Sequence, residues 1–131
     1  MYPQLVCPLS TAVATAGTAD DLFVGWPDAS NDAYLVAAVY AADDAVTAND
    51  TNFATVTISV GSTTLCSFTT ETSASGGTGN IATSTPVIFS ISNPKSALVK
   101  TTAPVKIAVT KDGSGVALTG RITLQFQPVR A

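Results

Sequence analysis

The chain has no histidine, which removes the commonest general base and the usual zinc ligand. A Ser-His-Asp or Cys-His nucleophilic site therefore cannot be assembled within it. The carboxylates offer adjacent pairs at Asp20-Asp21 and Asp43-Asp44. Neighbours in an extended chain point to opposite faces, so such pairs read as solvated turns and not as paired acids. Asp28, Ser30 and Asp32 alternate like the start of a calcium loop. The glycine and glutamate that should follow are Ala33 and Val39, so no metal is expected. Gly76, Gly77 and Gly79 suggest a phosphate cradle, but Asn80-Ile81-Ala82 stands where Lys and Ser or Thr belong. No βαβ unit surrounds them either. Asn49-Asp50-Thr51 is formally a glycosylation sequon. No catalytic residue and no cofactor is expected, and an enzyme is the last of the functions considered.

Cys7 and Cys66 leave two readings open, a disulfide or a pair of buried thiols that behave as small hydrophobes. Net charge is −3, with no basic residue before Lys95 and all but one of the acids before residue 72. An acidic first part and a basic last part suit contact between subunits. They do not make the basic, aromatic-studded patch that nucleic acid requires. The opening MYPQLVCPLSTAVATAG lacks the basic start and apolar core of a signal peptide, and no run approaches the ~20 apolar residues of a membrane helix.

The elements behind these residues read as strands. In Asn52 to Thr70, Val56, Ile58 and Val60 alternate with Thr55, Thr57 and Ser59. Thr64, Cys66 and Phe68 share a face of the next run, and Gly61-Ser62 between them predicts a tight hairpin. Val87, Phe89 and Ile91 alternate, as do Val105, Ile107 and Val109. Ile122, Leu124 and Phe126 alternate most cleanly, up to Pro128. Lys111 to Gly115, KDGSG, predicts a type I′ hairpin. Ala33 to Ala42 is apolar on both faces and fits a doubly buried strand better than a short helix, given its Tyr and Val. Glu71 to Asn80 is expected to be a flexible exposed loop.

Pro3 and Pro8 forbid a helix or a central strand near the start. Residues 1–19 are therefore expected to be either an arm that orders on a partner or a frayed end. Leu22, Phe23 and Trp26 are large apolar groups that either anchor this arm to the core or insert into a neighbour. Two units follow: an N-terminal arm and anchor over residues 1–26, and an antiparallel β-sandwich of six to eight strands over 27–131.

The chain carries 11% charged residues against ~25% in an ordinary soluble domain. Such a surface suits a protein packed against neighbours. The succession NDTNFATVTISVGSTTLCSFTT, a Gly-rich loop, TPVIFSIS and PVKIAVTKDGSGVALTGRITLQF resembles the small β-sandwich decoration (cement) proteins of tailed-bacteriophage heads, over roughly residues 33–128. The resemblance implies a jelly-roll-like subunit on the outer capsid surface of the virion. It implies a homotrimer or homodimer that bridges copies of the major capsid protein, with terminal arms reaching to neighbours. Tyr2, Leu5, Leu22, Phe23 and Trp26 are then the candidate partner contacts. Two alternatives stand beside it. One is a carbohydrate-binding or adhesin-like sandwich, whose aromatic platform would come from Trp26, Tyr34 and Tyr40. The other is a self-assembling coat or pilin-like subunit whose arm completes a neighbour's sheet.

Overall fold

The computed structural model describes residues 4–11, 19–25, 32–91, 98–99 and 104–129. Their strands are β1 (Gln4–Thr11), β2 (Ala19–Gly25), β3 (Ala33–Ala42), β4 (Phe53–Val60), β5 (Thr63–Thr69), β6 (Val87–Ile88), β7 (Leu98–Val99), β8 (Val105–Asp112) and β9 (Leu118–Pro128). They form two antiparallel sheets. The first runs β1-β9-β3-β6, with β7 also on β3, and the second runs β2-β8-β4-β5. Strands from the two halves of the chain pair in a nested way: β4 with β5, β3 with β6 and β7, β2 with β8, and β1 with β9. Two further pairings, β3 with β9 and β4 with β8, join these pairs into sheets.

Period-two sequence makes the core. Ile122, Leu124 and Phe126 of the first sheet are fully buried, as are Val56, Ile58, Ile107 and Val109 of the second. All belong to one cluster. Tyr40 of β3 stacks on Phe68 of β5 at 5.7 Å, and Phe68 meets Phe89 at 4.9 Å, so an aromatic trio joins the sheets at one side. The Tyr40 hydroxyl donates to the Thr119 carbonyl at 2.7 Å, which satisfies the one polar atom of that trio.

The β4–β5 hairpin turns at Gly61, where φ is +59°, as its sequence predicts. Ala33–Ala42 is a strand lying between β9 and the short β6 and β7. Its double apolar pattern has a cause that simple alternation hides. The register against β9 slips between Leu35 and Ala37, so Ala33 and Leu35 face the core before the bulge, and Ala38, Tyr40 and Ala42 after it.

Two expectations are corrected. KDGSG does not close a hairpin, because β8 and β9 belong to different sheets. Residues 113–117 form a corner between them, with Gly113 and Gly115 at φ +59° and +65°. The Ser114 N–H donates to Asn52 Oδ1 at 2.7 Å and pins this corner to the start of β4. Five residues can cross the ~10 Å between packed sheets, whereas a two-residue turn would hold its strands side by side. The second correction concerns the start of the chain. Residues 4–11 and 19–25, expected as parts of an arm, are edge strands on β9 and β8. Pro8 is compatible with β1 because an outermost strand can turn its missing N–H away from the ladder.

Gly120 lies within β9 opposite Ala42, with φ at +132°. A Cβ there would collide with the Ala41 carbonyl oxygen. Gly120→Ala is expected to lower stability by roughly 2–4 kcal/mol, combining backbone strain with overpacking. Urea unfolding measures this, and a loss below ~0.5 kcal/mol would contradict the close approach of β3 and β9 at this point.

Candidate functional site

Of the five candidate contacts, Leu5 lies on β1 and Leu22 and Phe23 on β2, the strands that end the two sheets on one side. Leu5 is half-buried against the core on β1, beside the buried Cys7, so its side chain serves packing. Leu22 falls at a register slip in β2, and Phe23 pairs with Ile107. Tyr2 and Trp26 lie outside the described residues, as do Asp28 and Ser30 of the calcium-like run. Of the proposed aromatic platform, Tyr40 is fully buried and Tyr34 half-buried, which leaves neither as an open stacking surface.

Among the described residues, no group of three or more His, Cys, Asp or Glu side chains gathers as a metal site. Asp43 and Asp44 are exposed at the end of β3, where Asp44 Oδ2 accepts from the Thr119 hydroxyl at 3.0 Å. Cys7 and Cys66 are buried free thiols. They sit on the outermost strands of different sheets. A bond needs Cα atoms within about 7 Å, and β1 lies about two strand spacings, or ~10 Å, from the β3 strand that meets β5 through Tyr40 and Phe68. Burial raises both thiol pKa values, that of Cys66 from 9.0 to about 12. For Cys66 this leaves roughly a thousandth of the ordinary thiolate at neutral pH. Neither thiol should react with Ellman's reagent at pH 8 in the native protein, and both should react in urea. Prompt native release of one equivalent would contradict the burial of that cysteine.

The Gly-rich loop is laced down, contrary to its expected flexibility. A single 3-10 turn spans Ser73–Ser75, and the Gly77 and Gly79 N–H groups donate back to Thr72 and Glu71. The Asp50 carboxylate accepts from the Thr72 N–H at 2.8 Å and from its hydroxyl at 2.9 Å. These bonds hold the Asp50 pKa below its ordinary value. Asn80 Oδ1 accepts from Ala48 N–H, and the buried Thr70 hydroxyl accepts from Ala54 N–H at 3.0 Å. The loop's amides are therefore turned onto the chain itself and do not form an open phosphate nest.

This anchored loop forms one wall of a groove of about 470 Å³. Ser67, Phe68 and Thr69 of β5 contribute a second wall, and Pro86 to Ile88 a third. The groove thus lies where the second sheet ends at β5 and the first ends at β6. Thr78 N–H already donates to the Thr69 carbonyl at 2.9 Å, so the loop covers the end of the β5 edge. No lining side chain titrates. The groove offers hydroxyls, an asparagine amide and the Phe68 ring, a set suited to hydrogen bonding and apolar contact with a neutral ligand. Sequence reading missed it because its walls, all drawn from residues 67–90, face one another only once β5 and β6 end their separate sheets. The one usable signal was Gly76 to Gly79, whose tight turns bring that segment back over β5.

Comparison with protein-family models, with curated proteins and with solved structures finds no match to this chain. The shown architecture is that of a small all-β sandwich, consistent with a structural or ligand-binding module.

Proposed function

We propose that this chain is a structural virion protein that decorates the outside of a bacteriophage capsid and stabilises it by bridging copies of the major capsid protein. The strand order carries the reading. A chain that pairs β4 with β5, then β3 with β6, β2 with β8 and β1 with β9 behaves as one long hairpin wrapped into two sheets. That order supports a jelly-roll reading of the sandwich, an architecture recurrent in viral capsid and lectin domains. The charge-poor composition supports an extended, permanent contact. Many equivalent copies on one shell would turn weak individual contacts into firm attachment.

The test is pelleting of the purified protein with bare shells assembled from the major capsid protein of the phage that encodes it. The expected result is saturable co-sedimentation at a fixed ratio to coat subunits. Protein left wholly in the supernatant at every ratio would remove the reading. The groove beside β5 favours one second reading, a carbohydrate-binding module, because its lining is hydroxyl-rich and uncharged. A glycan array distinguishes the two: selective glycan binding abolished by Asn80→Leu or by Phe68→Ala would favour the second.

A further inference from the structure

β5 is the last strand of the second sheet, so one side of its backbone meets β4 and the other meets no described strand. The Thr70 N–H donates to the Ala54 carbonyl at 3.0 Å, which makes Ala54 and Thr70 a hydrogen-bonded pair. Such pairs alternate along an antiparallel ladder, so Phe68 and Cys66 bond in the same way to Val56 and Ile58. Ser67 and Thr69 fall between them and turn their N–H and C=O groups away from β4. Thr69 shows this directly, because its carbonyl accepts from the Thr78 N–H of the Gly-rich loop at 2.9 Å. The other end of the edge is closed differently. The register slips between Ile58 and Ser59, which leaves Leu65 as the extra residue of a bulge. A loop over one end and a bulge at the other blunt a sheet edge against open-ended pairing. Between them stands Ser67, and it lines the groove. Among the described residues, no backbone group takes up its N–H or C=O.

We propose that the groove seats a short, extended, uncharged segment of another protein, added to β5 as a further strand through the Ser67 N–H and C=O. The occupant follows from what is open. The free groups are main-chain groups in the spacing of a strand, and an extended main chain meets both at once. The loop gives the precedent two residues along, where the Thr78 main chain holds the Thr69 carbonyl. No lining residue is charged, so an ionised side chain brought into the groove would lose its water without gaining a counter-charge. Pleating sets the pattern. The residue opposite Ser67 points outward with the exposed Ser67 side chain, and its two neighbours point to the inner side with Phe68. Val87, which pairs with the buried Tyr40, lies half-buried on that side of the groove. Those two neighbours should therefore be apolar, and the segment reads apolar, polar, apolar. Two backbone bonds and two apolar contacts make the binding weak and reversible. The inference does not rest on the capsid reading, and it competes with a glycan for the same groove.

An array of N-acetylated, C-amidated hexapeptides built from Gly, Ala, Val, Leu, Ser, Thr, Asn and Gln, probed with the full chain, supplies the ligands. The best binders are then titrated into nitrogen-15-labelled protein. They should follow the apolar, polar, apolar pattern, shift the Ser67 amide and slow its hydrogen exchange, and leave the amides of β1 unmoved. N-methylation of the peptide residue opposite Ser67 should weaken binding roughly ten-fold or more, because it removes a backbone bond. Ser67→Pro should do the same from the protein's side. It deletes an N–H that β4 does not use, at an outermost strand where proline is tolerated. The N-methylated peptide tests the same contact on the unaltered protein. An array without binders would overturn the proposal. So would binders that withstand N-methylation or a folded Ser67→Pro, or that shift amides away from the groove. A glycan that moves the Ser67 amide where no peptide does would assign the groove to sugars and also overturn it. Peptide binding without pelleting on shells would remove the capsid reading and leave this one standing.

Discussion

Phe126→Ala is expected to destabilise the domain by about 3–5 kcal/mol, the range for emptying a buried aromatic site in a packed core. Phe126 is fully buried on β9, which has β1 on one side and β3 on the other. A cavity there opens beneath the first sheet, opposite Leu35 of β3, where the β9–β3 ladder resists collapse into the space. Total stability of a domain this size is about 5–15 kcal/mol, so the variant should be near the edge of folding. Urea and thermal unfolding would measure it, with a fall of roughly 10–20 °C in Tm expected. A loss below about 1 kcal/mol would mean that the sheets do not close over this position.

Deleting residues 1–19 should have a still larger effect. Taken as an arm, that segment would be dispensable for folding, and its loss would touch only attachment. The pairing of Gln4 to Thr11 along β9 changes the expectation. Deletion takes away the core residue Cys7 and the partly buried Leu5, and it strips one whole side of the β9 ladder. At ~0.5–1.5 kcal/mol net for each lost backbone bond, plus the apolar burial, the cost reaches several kcal/mol. The bared edge of β9 would also be a template for aggregation. The truncated chain should show a collapsed or absent unfolding transition and should aggregate at concentrations where the full chain does not. A truncated chain with an unchanged Tm would return residues 4–11 to the role of an arm.

The architecture was legible where alternation is strict. Ile122, Leu124 and Phe126, or Val105, Ile107 and Val109, have only one way to share a face, and each set is buried. Legibility failed where one residue changes phase. In Ala33–Ala42 the slip between Leu35 and Ala37 moves the core face from odd to even positions, and no residue type announces it. Pro8 excludes a helix or a central strand but leaves open the edge strand it occupies, and nothing local in residues 4–11 announces that pairing. Asp112-Gly113 was read as a hairpin because local turn chemistry does not say whether the flanking strands share a sheet. The groove was hidden for a similar reason, since Phe68, Asn80 and Ile88 meet only through tertiary pairing.

A difference map between decorated and bare shells by electron cryomicroscopy tests the central claim most directly. The account predicts added density outside the shell, at sites between coat subunits, into which a two-sheet sandwich of this size fits. Shells saturated with the protein that show no added density would contradict it.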